Sequence, residues 1–230
     1  MSLEASRNQR SLWEIQHATR GAVLECGSGL RYTPNDTALA FARRLTSRSR
    51  VLEVGSANGR DARHWAAEGH QVIATDFSLT AMKQLRSIAQ EQGVMQNIWP
   101  VVWDINVGHL PIEGASSIDA FYARSALHVT DSTMTQVAAS VNAALVPKGW
   151  ILIEGKGPSD KKIARSYNNE DGTAVDADEG GHMRRIWTPQ FTEQMCHQFG
   201  WDIVELTDQK EEWQGVPASF MRLLARKKGS

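Results

Sequence analysis

The stretch Val51-Leu52-Glu53-Val54-Gly55-Ser56-Ala57-Asn58-Gly59-Arg60-Asp61 is the most informative part of this sequence about its fold. A short apolar run ends at Gly55, and a segment with helical character follows Gly59. The pattern therefore predicts a strand, a glycine turn and a helix. The two glycines allow the backbone to turn sharply at the carboxyl end of the strand, where open α/β sheets bind their ligands.

The same alternation of apolar strands and amphipathic helices continues to residue 156. Repeated units of this size predict a parallel sheet with helices on both faces, an open, doubly wound α/β fold of the Rossmann-like kind. Ser78 is expected to cap the helix that follows the second strand. The predicted strands cover residues 51–54, 71–75, 98–103, 118–123 and 150–154, and the predicted helices include residues 61–68 and 132–145.

Two further strands are predicted after the helix at residues 190–199. They cover residues 202–207 and 219–225, with a connector of about ten residues. Because so short a connector cannot easily hold a crossover helix, the two strands should pair antiparallel. The sequence thus predicts a seven-stranded sheet that is mostly parallel and has an antiparallel C-terminal strand.

Composition and charge exclude several classes of protein. Lys and Arg number 25 against 26 Asp and Glu, for a net charge of −1, so nucleic acid is an unlikely partner. A hydrophobic content of 41% disfavours a disordered chain. A disulfide scaffold is disfavoured because the chain has only two cysteines, Cys26 and Cys196, without CxxC spacing. No apolar run approaches the roughly 20 residues of a membrane-spanning helix. We therefore expect a cytoplasmic protein without a membrane segment.

Acidic residues stand near the ends of three successive predicted strands: Glu53, Asp76 and Asp104. A carboxylate at the end of the second strand is placed to accept hydrogen bonds from both hydroxyls of a ribose, and Asp104 could accept from an adenine amino group. The dinucleotide fingerprint GxGxxG is absent, because Ala57 occupies its second glycine position. The pattern favours a nucleoside ligand without a tightly held pyrophosphate.

With these acids and glycines, the sequence resembles the class I S-adenosylmethionine-dependent methyltransferases, whose first motif reads acid-x-Gly-x-x-x-Gly. The resemblance covers about residues 50–156 and includes Ile118-Asp119-Ala120-Phe121 and the later turn Leu145-Val146-Pro147-Lys148-Gly149-Trp150. It implies S-adenosyl-L-methionine as the cofactor, and the family's terminal antiparallel strand agrees with the hairpin inferred above.

The resemblance also implies cofactor contacts. The first motif would line the methionine part, Asp76 would hold the ribose, and Phe77 would lie against the adenine. Small-molecule members commonly begin with a helix whose Trp-x-x-x-Tyr face covers the cofactor; here Trp13 fits that pattern and His17 stands in place of the tyrosine. The cofactor residues implied in this way are Trp13, Glu53, Gly55, Ser56, Asn58, Gly59, Asp61, Asp76, Phe77, Asp104, Ile105 and Arg124.

The acceptor site is harder to identify, because displacement of a methyl group from a sulfonium depends mainly on alignment and requires no fixed base. His128 and His182 are candidate catalytic bases, with a structural histidine as the alternative for His128. The basic ends of the loop at residues 157–186 could close over a carboxylate or other anion; alternatively, that loop is a solvated, salt-bridged surface. The candidate substrate-binding residues are His17, Tyr32, Lys156, Arg184, Arg185 and Trp187.

We therefore interpret residues 1–230 as a single methyltransferase domain. It would consist of an N-terminal helical cap (1–48, with helices near 9–20 and 37–48, the second capped by Asp36), a cofactor-binding half (49–156), a mobile substrate loop (157–186) and a C-terminal helix and hairpin (187–230). The expected activity is methyl transfer to oxygen, nitrogen or sulfur of a small molecule by a monomer or homodimer without a metal. The alternatives are an RNA or protein methyltransferase and a non-catalytic S-adenosylmethionine-binding protein.

Overall fold

The computed structural model describes residues 11, 13–15, 17–18, 33–107, 109–112, 114–160, 167–168, 172–176, 182–213 and 216–229. Residues 11, 13–15, 17 and 18 are helical and form what we call the N-terminal helical segment. The elements that follow are α1 (Asp36–Ala42), β1 (Arg50–Val54), α2 (Arg60–Ala67), β2 (Gln71–Asp76), α3 (Leu79–Glu91), β3 (Ile98–Val102), β4 (Ile118–Arg124), α4 (Asp131–Ala144), β5 (Leu145–Lys156), β6 (Tyr167–Asn168), β7 (Thr173–Asp176), β8 (His182–Arg185), α5 (Pro189–Phe199), β9 (Trp201–Trp213) and β10 (Val216–Lys227).

The main sheet has seven strands in the order β3-β2-β1-β4-β5-β10-β9. Strands β1 to β5 pair in parallel, whereas β10 is antiparallel to both β5 and β9. The prediction of a mostly parallel seven-stranded sheet with an antiparallel C-terminal strand is confirmed. Because the chain moves outward from β1 to β3 and then returns to place β4 beside β1, a crevice is expected at the carboxyl ends of β1 and β4.

Helices cover both faces of the sheet, as a doubly wound fold requires. One apolar cluster includes Phe41, Trp65 and Leu85, from α1, α2 and α3. The other includes Met134 and Met195, from α4 and α5 on the opposite face. None of the helices among the described residues has the length and apolarity that a membrane crossing requires.

The start of α3 was predicted correctly, whereas α1 differs from its prediction. Ser78 accepts a hydrogen bond from the backbone N–H of Ala81 (3.0 Å), as expected of a cap. Asn35, and not Asp36, caps α1, since its side chain accepts from the Thr37 N–H (2.8 Å). The helix ends at Ala42 and not near residue 48, because residues 46–49 form a local turn in which the Ser49 hydroxyl donates to the Thr46 carbonyl (2.8 Å).

Regular structure also occurs where the sequence predicted only a loop. Strands β6, β7 and β8 form a small antiparallel sheet within residues 157–186, with Thr173 paired to Arg185 and Asp176 to His182. These strands are too short to leave a clear alternating pattern in the sequence. The role of this segment as a mobile substrate loop stays a prediction.

The C-terminal hairpin is longer than predicted, because β9 and β10 remain paired as far as Trp213 and Val216. The predicted ten-residue connector is therefore mostly strand. Strand β5 is longer as well: it begins at Leu145, and the turn predicted at residues 147–149 is an irregularity within it, where Lys148 has a φ of 63°. The residues by which β10 begins earlier than predicted, Val216 to Ala218, pair with β9.

Candidate functional site

A cavity of about 840 Å³ opens at the carboxyl ends of the parallel strands. The N-terminal helical segment, residues 33–37 and β10 all contribute to its wall. Most of the predicted site residues are brought together here. Those that line the cavity are Trp13, His17, Glu53, Gly55, Ser56, Asn58, Asp61, Asp76, Phe77, Ile105, Arg124, His128, Lys156 and Arg184.

The glycine turn forms the floor of the cavity at the end of β1. Backbone φ is positive at Gly55 (73°), Ala57 (48°) and Gly59 (73°). The N–H groups of Gly55 and Ser56 both donate to the Thr75 carbonyl, at 2.8 and 2.9 Å, which fixes the turn against β2. A side chain at position 55 would collide with the Ala126 Cβ, so only glycine fits where β1 and β4 approach. Gly59 does not line the cavity; it begins α2 and packs against Leu85.

Asp76 lies at the end of β2 with only 7% of its surface exposed. Its Oδ2 accepts from the Ala57 N–H (3.0 Å), and its Oδ1 accepts from the Ser78 N–H (2.9 Å). Burial raises the pKa of Asp76, and these two backbone donors act against the shift. Since each carboxylate oxygen can accept more than one hydrogen bond, the group is held rigidly while keeping capacity for two ligand hydroxyls.

Glu53 is the buried acid of the first motif, and its Oε2 has no hydrogen-bond partner among the described residues. Burial raises the pKa of Glu53 well above its usual range, and the neighbouring charge of Asp61 adds to the shift. An unsatisfied buried carboxyl oxygen is costly. It therefore marks a position where a cationic donor of a ligand would be stabilised.

Asp61 lines the cavity, but both of its oxygens have protein partners. Oδ1 accepts from the Asn35 N–H (2.8 Å), and Oδ2 accepts from the Tyr122 hydroxyl (3.2 Å). Arg60 lies beside it, with Nε 3.3 Å from Oδ1. Asp61 thus connects the start of α1 to α2 and β4, which makes it a positioning residue for the cavity wall.

The N-terminal helical segment is attached to the start of α3. Glu14 Oε1 accepts from the Leu79 N–H (2.7 Å), and the Gln84 amide donates to the His17 carbonyl (3.2 Å). Burial lowers the pKa of His17, although the nearby Asp76 carboxylate opposes the shift. His17, which we predicted as a substrate contact, therefore lies on the same side of the cavity as Asp76.

The opposite side of the cavity is built around Glu154, which is 3% exposed on β5. It accepts from Arg124 Nε and from Arg222 Nε, both at 2.7 Å, and from the Thr37 hydroxyl (3.2 Å). Arg222, Phe220 and Gln209 line the cavity but were missed by the sequence prediction. A signal was present, since Arg222 and Glu154 are opposite charges embedded in two apolar strands, and buried charges are normally paired.

His128 faces β8. The Arg184 guanidinium lies 3.2 Å from His128 Nε2, and the Arg185 N–H donates to Nδ1 at 3.4 Å. Arg184 also lies over the Trp13 ring, 5.6 Å from its centroid. The cluster of Trp13, Arg184 and His128 connects the N-terminal helical segment to the small sheet across the cavity. A catalytic role for His128 stays a prediction.

Besides Gly59, three of the predicted site residues that the structure describes do not line the cavity. Asp104 accepts from the backbone and side chain of Asn106, at 3.0 and 2.8 Å, and so caps a short 3₁₀ turn. Arg185 is 1% exposed, paired with Asp131 and stacked on Phe191. Trp187 is also 1% exposed and occupies the space beside Gly155. Arg185 and Trp187 hold α5 and the small sheet together. Tyr32 and the side chain of His182 lie outside the described residues.

Comparison with known proteins agrees with this geometry. A family model described as a methyltransferase domain matches residues 51–149. No curated protein matches the chain. The fold is similar to 1,6-didemethyltoxoflavin-N1-methyltransferase from Burkholderia thailandensis, solved with 1,6-didemethyltoxoflavin and S-adenosylhomocysteine bound (17% identity, 99% of this chain and 92% of that chain covered, TM-score 0.69).

Two further solved structures have the same fold. One is a methyltransferase described as S-adenosylmethionine-dependent from Methanosarcina mazei (15% identity, 83% of this chain and 98% of that chain, TM-score 0.70). The other is the [4+2]-cyclase SpnF (14% identity, 98% of this chain and 97% of that chain, TM-score 0.74). At these identities the similarity shows the fold, and the chemistry of the acceptor has to come from the cavity itself.

Proposed function

We propose that this chain, a methyltransferase of the S-adenosylmethionine-dependent class by its family model and its fold, methylates a small molecule bound in the cavity described above. The observation that carries the proposal is the cavity itself. Its volume of about 840 Å³ falls within the range of small-molecule sites. It also has a glycine turn with buried acids on one side and arginines on the other, so it offers separate places for cofactor and acceptor.

The residues on the acidic side fit S-adenosylmethionine. Asp76 would accept from both ribose hydroxyls, and the unpartnered Oε2 of Glu53 would accept from the ammonium of the methionine part. When bound, the cofactor supplies a methyl group on a sulfonium sulfur, and that sulfur leaves as a thioether when an acceptor atom takes the methyl. Phe77 and Ile105 also line the cavity and would enclose the adenine.

The protein would act mainly by alignment. Its tasks are to hold the acceptor atom in line with the methyl group and to keep bulk water out. Trp13 and Arg184 approach each other across the cavity and would cover the bound pair. Where the acceptor has a proton to lose, His128 and His182 are the candidate proton acceptors, since histidine titrates near neutral pH.

The direct test uses purified protein, methyl-labelled S-adenosylmethionine and a cell extract separated into small molecules, RNA and protein. We expect a labelled product in the small-molecule fraction, and we expect S-adenosylhomocysteine, but not NAD or ATP, to bind in calorimetry. Label found only in RNA or only in protein would refute the small-molecule acceptor. Binding of NAD or ATP without S-adenosylhomocysteine would refute the assignment of the cofactor side.

The raised pKa of Glu53 predicts how the free energy of unfolding of the ligand-free protein changes with pH. Burial and the charge of Asp61 raise the pKa of Glu53 well above its usual 4.5. Between pH 4.5 and that raised value, the unfolded chain loses this proton while the folded chain keeps it. The free energy of unfolding should therefore fall as pH rises through this window, and the decrease should be smaller in Glu53→Gln. Chemical denaturation at several pH values measures it.

The control for this experiment is Glu205→Gln, because Glu205 is exposed on β9. This variant should keep the wild-type slope of unfolding free energy against pH. If Glu53→Gln also keeps the full wild-type slope, then Glu53 is already ionised in the folded protein across this pH window, and the raised pKa that burial is expected to cause is refuted.

A further inference from the structure

Trp103 lines the cavity, and neither the sequence nor the proposed function gives it a role. It follows the last residue of β3 and is 9% exposed. Its indole Nε1 is buried and has no hydrogen-bond partner among the described residues. An indole nitrogen can only donate, and a buried tryptophan N–H normally has a partner. This N–H therefore needs a hydrogen-bond acceptor that the described part of the chain does not supply.

The surroundings of the Trp103 ring are apolar. Trp103 belongs to the same apolar cluster as Val54, and Ile105 and Ala126 pack against that cluster. All three of these neighbours also line the cavity. A donor left unpaired among apolar side chains costs free energy, which a ligand with a suitably placed acceptor atom recovers. The wall around Trp103 therefore favours a ligand that presents such an atom to it.

Backbone hydrogen bonding places Trp103 at the end of the cavity that we assign to the nucleoside. The Trp103 N–H donates to the carbonyl of Asp76 (2.9 Å), and the carboxylate of Asp76 is the group that we assign to the ribose. Phe77 follows Asp76 directly, and Ile105 is two residues beyond Trp103. These are the two residues that we assign to the adenine. Trp103 therefore lies where the base of the cofactor would bind.

We propose that the Trp103 indole N–H donates a hydrogen bond to a ring nitrogen of adenine and so contributes to recognition of the base. This proposal rests on the proposed function and names a further residue that positions its cofactor. The ring nitrogens N1, N3 and N7 of adenine can accept, whereas the amino group of adenine is a donor and cannot pair with an N–H. Asp104, to which the family resemblance assigns that amino group, accepts from Asn106 in this structure. Trp103 thus supplies the base end with a donor that the family motif does not contain.

Calorimetry with S-adenosylhomocysteine and its 1-deaza, 3-deaza and 7-deaza analogues tests the proposal. Each analogue has a C–H group in place of one ring nitrogen and so lacks one hydrogen-bond acceptor. The analogue without the nitrogen that faces Trp103 should bind the wild-type protein about tenfold more weakly than S-adenosylhomocysteine. In Trp103→Phe this difference should shrink to about twofold or less, because the variant has no N–H to leave unpaired.

The comparison of ratios separates the hydrogen bond from other effects of the substitution. Loss of ring volume in Trp103→Phe weakens all four ligands alike and leaves their ratios unchanged. A ring nitrogen that binds another donor gives the same loss in both proteins. Trp99→Phe is the matched control, because Trp99 is on β3 but is 48% exposed and lies outside the cavity. This control should keep every wild-type ratio.

Affinity for S-adenosylhomocysteine distinguishes the possible failures. If the wild-type protein binds it but no ratio changes in Trp103→Phe, the role of Trp103 is refuted and the methyltransferase function stands. If the wild-type protein does not bind it, the proposed function fails and the role of Trp103 fails with it.

Nuclear magnetic resonance of the ¹⁵N-labelled wild-type protein replaces the variant should Trp103→Phe not fold. The chain has eight tryptophans, and each has one indole N–H signal. We expect one of these proton signals to move downfield when S-adenosylhomocysteine binds, because a hydrogen bond deshields the proton. The same signal should stay near its ligand-free position with one of the three analogues. Equal positions of every indole signal with all four ligands would overturn the proposal.

Discussion

Asp76→Asn is expected to weaken the binding of S-adenosylmethionine by about 100-fold. The carboxylate has two oxygens fixed by the N–H groups of Ala57 and Ser78, at 3.0 and 2.9 Å. An amide would keep one acceptor oxygen and would point an NH₂ group at the second backbone donor, so both the turn and one ligand contact would be lost. Hydrogen bonds to a charged group contribute about 1.5–3 kcal/mol each, and two of them account for a loss of this size. Titration calorimetry measures it.

Asp104→Asn is the matched control for this prediction. The sequence assigns both acids to the cofactor, but the structure has Asp104 accepting from Asn106 and outside the cavity. We expect cofactor affinity to stay within about twofold of wild type. Equal losses in the two variants would mean that Asp104 turns toward the adenine when the cofactor binds, as the family resemblance implies.

The sequence predicts the sheet well because the sheet depends on local pattern. Apolar runs that end at glycine or at an acid give β1 and β2, and the short connector gives the antiparallel hairpin. The sequence therefore also predicts which residues at those strand ends line the cavity, since the carboxyl ends of parallel strands meet at one edge of the sheet. Glu53, Gly55 and Asp76 are the clearest examples.

The other side of the cavity depends on contacts between residues distant in sequence, which a local pattern does not contain. Thr37, Glu154 and Arg222 come together only once α1, β5 and β10 have packed. Trp187 and Arg185 are the opposite case, because the sequence assigns them to the substrate and the structure has both of them buried outside the cavity. Residues of these types bind ligands when they are exposed, but here they fill the space between β5, α4 and α5. The burial of these two side chains depends on tertiary packing, which neither residue type nor spacing in the sequence reveals.

Glu154→Ala is expected to lower the free energy of unfolding by about 3–5 kcal/mol. The variant removes the only carboxylate that joins Arg124 to Arg222 among the described residues, and it leaves two largely buried guanidinium groups facing each other. Thermal and chemical denaturation measure the loss. Asp202→Ala is the control: its partner Lys228 lies 3.8 Å away with both side chains 64% exposed, so the loss should stay below about 1 kcal/mol.

Replacing the whole cluster tests whether its ion pairs or its buried side-chain volume stabilise the fold. In the triple variant Arg124→Met, Glu154→Met and Arg222→Met, Glu154 and its two arginine partners are removed together, so most of the stability lost in Glu154→Ala should return. Chemical denaturation of the two variants side by side measures the difference. Recovery would mean that Glu154 stabilises the fold mainly by neutralising the two arginines. A triple variant as unstable as Glu154→Ala would mean that the ion pairs themselves hold β4, β5 and β10 together.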